Sequence, residues 1–84
     1  MTITVKFFSL IREAVETEQL TLELNDGSTT VETLKNELGL RGDAWNEALS
    51  HPNLIQAVNQ RVVFQEEVIK DGDEVAFFPP MTGG

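Results

Sequence analysis

Cysteine is absent from this 84-residue chain. Its absence excludes disulfides, thiolate metal sites, iron–sulfur clusters and a cysteine nucleophile. Any sulfur chemistry would have to use an atom other than a cysteine sulfur. Basic residues are scarce: six Lys and Arg stand against 14 Asp and Glu, giving a net charge of −8. Nucleic acids and anionic membranes are bound chiefly through Lys and Arg, so neither is an expected partner. The same charge suits a basic protein partner, with association that weakens as salt rises, and it also serves solubility. No apolar run approaches the roughly 20 residues of a membrane span. Met1 to Lys6 show neither a basic n-region nor an apolar h-region, so the default expectation is a cytoplasmic protein.

What is present supports one small globular domain. Hydrophobic residues make up 40% of the chain, including five Phe and one Trp, and this length can fold without staples. Thr2 to Phe8 alternates, with Ile3, Val5 and Phe7 on one face and Thr4, Lys6 and Phe8 on the other, which predicts a half-buried strand. Ser9 is placed to cap a short helix running to about Glu16. Leu20 to Leu24 alternates again, and Asn25-Asp26-Gly27-Ser28 reads as a turn. Thr29 with Glu32 forms a capping-box pattern opening a helix with Val31, Leu34, Lys35 and Leu38 on its stripe. Lys35 is the polar exception there, and Gly39 is a stop signal. A further short helix over Asp43–Leu49 would carry Trp45 as a partial lid on the core. Short strands are predicted over 55–59, 61–64 and 68–69, with a final strand over Glu74–Phe78 after the Asp71-Gly72-Asp73 turn.

This order of elements is α+β, with helices available to cover one face of a mixed sheet. In a β-grasp arrangement the first and last strands run parallel at the sheet centre. Val5 and Phe7 then share the core face with Val75 and Phe77. The same parity puts Phe8 and Phe78 together on the opposite face, with Val62 as a neighbour. Apolar side chains on an uncovered sheet face point to a partner patch, unless a helix or loop covers them.

The last six residues are Pro79-Pro80-Met81-Thr82-Gly83-Gly84. Proline lacks an N–H and fixes φ near −65°, so the pair ends the strand and holds the remaining residues away from the body. Glycine has no Cβ and can enter a channel too narrow for other residues. Extended, the segment reaches roughly 20 Å at about 3.3–3.6 Å per residue. The expected organisation is a folded domain over 1–78 and a protruding, flexible tail over 79–84 with a carboxylate at its tip. A frayed terminus is the plain alternative for any Gly-Gly end.

The segment from Asp71 through Phe77-Phe78-Pro79-Pro80-Met81-Thr82-Gly83-Gly84 resembles the C-terminal signature of molybdopterin synthase small subunits, the MoaD-type sulfur carriers. Lys6-Phe7-Phe8, Arg12-Glu13, Thr30-Val31-Glu32 with Leu34, and Ala57-Val58-Asn59 resemble that family in order and spacing. Met81 stands where an aliphatic residue is usual, and Ile69 where leucine is. The middle, Leu40 to Leu54, is the least diagnostic stretch.

The resemblance implies a ubiquitin-like β-grasp fold and a carrier role without catalytic side chains in this chain. An adenylyltransferase resembling ubiquitin-activating enzymes would join AMP from ATP-Mg to the Gly84 carboxylate. A sulfur donor system would then replace AMP, leaving a thiocarboxylate. The charged tail would enter the large subunit of molybdopterin synthase, where the catalytic residues are expected, in an assembly with two copies of each chain. The sulfur would go to cyclic pyranopterin monophosphate to form the dithiolene of molybdopterin. Gly84 is then the reacting residue, and no cofactor or metal is expected on this chain. Phe8, Arg12, Val62, Phe78, Pro79, Pro80, Met81, Thr82 and Gly83 are the expected partner-binding residues. Carriers for thiazole or tRNA thiolation, and ubiquitin-like modifiers, share the Gly-Gly end and stand as alternatives. The Phe-Phe-Pro-Pro lead-in favours the molybdopterin pathway. Asp71, Asp73 and Glu74 read as turn residues before a cation site. His51 reads as a loop residue, and Lys6, Lys35 and Lys70 as solvent-facing charges.

Overall fold

A computed structural model describes residues 1–80; the expectations placed on Met81, Thr82, Gly83 and Gly84 lie outside the described residues. Among the described residues, seven strands and three helices alternate as β1 (Thr2–Phe7), α1 (Ser9–Val15), β2 (Gln19–Glu23), β3 (Ser28–Thr30), α2 (Val31–Gly39), α3 (Asp43–Leu49), β4 (Ile55–Val58), β5 (Arg61–Val63), β6 (Val68–Lys70) and β7 (Glu74–Phe78). Five strands form one mixed sheet in the order β2-β1-β7-β4-β5, and β3 pairs with β6 in a separate small ladder. β1 and β7 run parallel at its centre, with Val5 opposite Val75 and Phe7 opposite Phe77. The other pairings are antiparallel. This is the β-grasp topology expected from the order of elements.

Side-chain alternation along the strands sorts them into two layers. Ile3, Val5, Phe7, Val58, Val63, Val75 and Phe77 point to one face and are buried. Against them pack Ile11 and Val15 of α1, Val31, Leu34 and Leu38 of α2, and Leu49 of α3. Each such side chain removed from water contributes about 1.5–3 kcal/mol before entropy is counted. Trp45 lies edge-on to Phe7, with ring centroids 5.3 Å apart, and the Arg41 guanidinium sits 5.2 Å from its ring centroid. It is half-buried, a lid on the core as expected.

Three local expectations are corrected. Ser9 does not cap α1: Phe8 is the N-cap residue, and no side-chain cap bond forms. The Phe8 carbonyl instead accepts from the N–H groups of Ile11 and Arg12 at 3.1 and 3.3 Å. For α2 the cap is Thr30, whose Oγ1 accepts from the Thr33 N–H at 3.2 Å, rather than Thr29 with Glu32. Thr29 is held in β3 opposite Ile69, a pairing that takes Ser28 out of the expected turn. α2 ends at Gly39, where the stop was expected, with Leu40 as its C-cap residue.

Candidate functional site

The sheet face away from the helices carries the candidate site. Phe8 follows β1 directly, and its N–H donates to the Phe77 carbonyl at 3.1 Å, extending the parallel ladder by one residue. Its ring therefore lies beside that of Phe78, with centroids 4.6 Å apart and planes 7° from parallel. Both rings are half-buried, and no helix among the described residues covers them. β4 places Ile55 opposite Phe78 and Ala57 opposite Ala76, and β5 adds Val62 opposite Ala57. Phe8, Phe78, Val62, Ala57 and Ala76 thus line one open cleft of about 290 Å³, rimmed by Lys6, Gln60 and Glu74. Val62 is 67% exposed, so the cleft has an accessible apolar wall.

The polar rim is ordered by named contacts. Lys6 Nζ lies 3.1 Å from Glu74 Oε1 across the parallel pair. Asn59, at the hairpin turn between β4 and β5, is held in three ways. Its N–H donates to the Glu74 carbonyl at 2.8 Å, its Nδ2 donates to Asp73 Oδ1 at 2.9 Å, and its Oδ1 accepts from the Glu74 N–H at 3.0 Å. Asn59 and Gln60 both have positive φ, 51° and 69°, as a two-residue hairpin turn requires. The turn that presents Val62 is therefore tied to the start of β7.

The expected site residues divide by location. Phe8, Val62 and Phe78 come together on the open face. Arg12 is exposed on α1 and shares a small depression with Phe8 and Lys6. Pro79 and Pro80 turn to the helical side, where they are half-buried and line an apolar cleft with Leu10, Ile11 and Ala14 of α1 and Ala44 and Ala48 of α3. Met81, Thr82, Gly83 and Gly84 lie outside the described residues. Asp71 and Asp73 are turn residues: Asp71 Oδ1 accepts from the Thr2 N–H at 2.7 Å, and Asp73 Oδ2 from the Lys70 N–H at 2.8 Å. Gly72 between them has φ +86°, a conformation that favours glycine. His51 is an exposed loop residue whose Nδ1 accepts from the Asn53 N–H at 3.1 Å.

Two features were missed from sequence. Phe64, 74% exposed, extends the apolar surface from Val62 along the sheet edge. Its signal was the alternation of Val62 and Phe64 about buried Val63. Lys35 is half-buried rather than solvent-facing, and desolvation lowers its pKa while Glu32 partly offsets the shift. Among the described residues, no group of three or more His, Asp or Glu is placed to hold a metal ion.

A mixed sheet with β1 and β7 parallel at its centre, one face covered by helices and one open apolar face, defines a ubiquitin-like β-grasp domain. The model of the ThiS family matches residues 5–84. Over 82 residues the chain is 44% identical to the molybdopterin synthase sulfur carrier subunit of Escherichia coli, covering 98% of this chain and 99% of that protein. It is 40% identical to the subunit of that name from Haemophilus influenzae, with the same coverage. Among solved structures, the complex of subunits 1 and 2 of the molybdopterin-converting factor from Helicobacter pylori contains a similar chain. The TM-score is 0.67, with 25% identity and full coverage of both chains. The chain belongs to the ThiS family, among the molybdopterin synthase sulfur carrier subunits.

Proposed function

We propose that this chain is the sulfur-carrying subunit of a molybdopterin synthase and that its reacting group is its own terminal carboxylate. The observation that carries this reading is the half-buried Phe8–Phe78 stack on the face left open by the helices. It stands in a chain whose match to the family runs through Gly84. In the proposed cycle a Gly84 carboxylate oxygen attacks the α-phosphorus of ATP-Mg on an adenylating enzyme, and pyrophosphate leaves. The resulting acyl-adenylate has a good leaving group where the carboxylate had none. Sulfide then attacks the activated carbonyl carbon and displaces AMP, leaving a thiocarboxylate. The large synthase subunit receives the tail and supplies the catalytic residues for sulfur transfer to the pterin precursor.

The residues of this chain bind and position. Phe8, Phe78 and Val62 give an apolar anchor of the kind that dominates protein–protein affinity. Pro79 and Pro80 limit the conformations of the connection to the tail, which reduces the ordering cost of insertion. Glycine at 83 and 84 leaves the carbonyl open to two different enzymes in turn. With no cysteine in the chain, the exchange of carboxylate for thiocarboxylate is the route by which it carries sulfur.

The test is mass spectrometry of the C-terminal peptide after incubation with the cognate adenylating enzyme, ATP-Mg and sulfide. The expected result is the mass change of one oxygen replaced by one sulfur, absent when Gly84 is deleted. Persistent lack of that change with an enzyme that charges another carrier would sink the reading.

A further inference from the structure

We propose that the outer edge of β5, with the cleft beside it, receives an extended basic segment of the large synthase subunit. This rests on the reading that the open face docks that subunit, and it adds a second, polar element to the interface. β5 ends the five-stranded sheet, so one of its sides has no neighbouring strand among the described residues. Val58 pairs with Arg61 across the Asn59-Gln60 turn, and Gln56 pairs with Val63. In such a hairpin the residues flanking the turn exchange backbone hydrogen bonds, so Arg61 and Val63 face β4 and Val62 turns its N–H and C=O outward. An outward row of this kind is a template for an added strand, and charge or proline usually blunts it. Here the exposed apolar residues are Val62 and Phe64, continuous with the Phe8–Phe78 cleft, and the one charge on the strand, exposed Arg61, is paired with Glu67 at 3.1 Å.

The neighbouring cleft, about 620 Å³, is bounded by α2, the start of β4 and the β5 edge. Glu32, Glu66, Lys35 and Gln56 contribute its polar lining. Gln56 is 6% exposed, and its Nε2 donates to the Val63 carbonyl at 3.0 Å, while its Oε1 has no partner among the described residues. A buried acceptor without a donor is costly, and Gln56 therefore adds an unsatisfied polar group beside the cleft. Two carboxylates against one half-buried ammonium leave the lining net negative, so Arg or Lys is the side chain that fits. Alternate residues of an added strand point to opposite faces of a sheet. One side chain of the segment therefore enters this cleft, and the next lies on Val62 and Phe78. A second copy of the chain is a poor occupant, because edge-to-edge pairing would bring together two bodies of net charge −8.

The experiment is amide hydrogen exchange by NMR on the isotope-labelled full chain, alone and with the unlabelled cognate large subunit, beside binding of the Glu32→Gln/Glu66→Gln variant. The Val62 and Phe64 amides are expected to slow by tenfold or more in the complex. The double variant is expected to bind roughly three- to tenfold more weakly, as two partly screened charge contacts imply, with a flatter salt dependence. A complex that shifts the resonances of Phe8 and Phe78 but leaves both amide rates and the variant's affinity unchanged would overturn this proposal and leave the carrier reading standing. Failure to form any complex would overturn the docking reading as well. Protection of the same amides in the chain alone, rising with its concentration, would assign the edge to self-pairing instead.

Discussion

Phe7 and Phe77 are paired on one face of the sheet, and Phe8 and Phe78 on the other, one residue further along the same two neighbouring strands. The inner rings lie 6.0 Å apart with planes 19° from parallel, and at most 1% of either residue is exposed. The outer rings lie closer, at 4.6 Å, yet remain half-buried. Residue type and strand partner are the same, so the helical layer is what separates them. It covers the inner pair with Ile11, Leu34 and Leu38, whereas the outer pair lies along an open cleft with Ala57, Ala76 and Val62. The inner pair therefore contributes to folding, and the outer pair leaves apolar surface accessible, as the proposed docking face requires.

Substitution at adjacent positions gives the largest effect and the sharpest contrast. Phe77→Ala should lose about 3–5 kcal/mol of stability in urea unfolding, because it leaves a cavity in a closed core. Phe78→Ala should lose far less stability, about 1 kcal/mol, while weakening binding to the large subunit by about 2 kcal/mol, a factor of roughly 30, in calorimetric titration. Equal losses of stability for the two would break the distinction between the faces. Asn59→Ala comes next, since it removes two side-chain hydrogen bonds and places alanine at φ 51°. It should cost about 1–2 kcal/mol in the same unfolding assay. Binding should fall less than for Phe78→Ala, because the turn positions Val62 without touching the partner anchor.

The smallest effect separates two lysines on opposite sides of the sheet. Lys6 lies beside Glu74 on the open face, whereas Lys35 is half-buried against the helical side with its pKa lowered by desolvation. The folded chain thus holds the Lys35 proton less tightly than the unfolded chain, whose ordinary value is 10.5. Between the lowered value and 10.5 the unfolded state binds more protons, so this residue's contribution to stability rises with pH through that window. Lys35→Met should abolish the rise and increase neutral-pH stability by no more than about 0.5 kcal/mol. A stability–pH curve unchanged by the substitution would show that the ammonium keeps its water.

Much of the fold could be read along the chain. Alternation in Thr2–Phe8 and Glu74–Phe78 assigned the buried and open faces, and the helical stripe of Val31, Leu34 and Leu38 named the core side of α2. The misses lie where a long-range contact outweighs a local cue. Asn25 to Ser28 carries turn residues, yet Ser28 joins a ladder because Lys70 lies opposite it. Thr29 and Thr30 are equally good caps in isolation, and β3 holds Thr29 opposite Ile69, leaving Thr30 at the helix start. Phe64 was passed over because its neighbourhood with the Phe8–Phe78 cleft depends on where the β4–β5 hairpin sits.

Composition and order along the chain were enough to determine that sulfur could not ride on a cysteine. They were also enough to determine that two prolines precede Gly83-Gly84, and that Phe8 and Phe78 each stand opposite in parity to their neighbours Phe7 and Phe77. These properties are covalent or follow from the two-residue period of a strand, and both are local. Tertiary structure alone decided that Val62 stands beside that stack, that Gln56 Oε1 is buried without a partner among the described residues, and that β5 is the free edge. Those facts depend on strand order and layer packing among residues far apart in sequence, which no local pattern encodes.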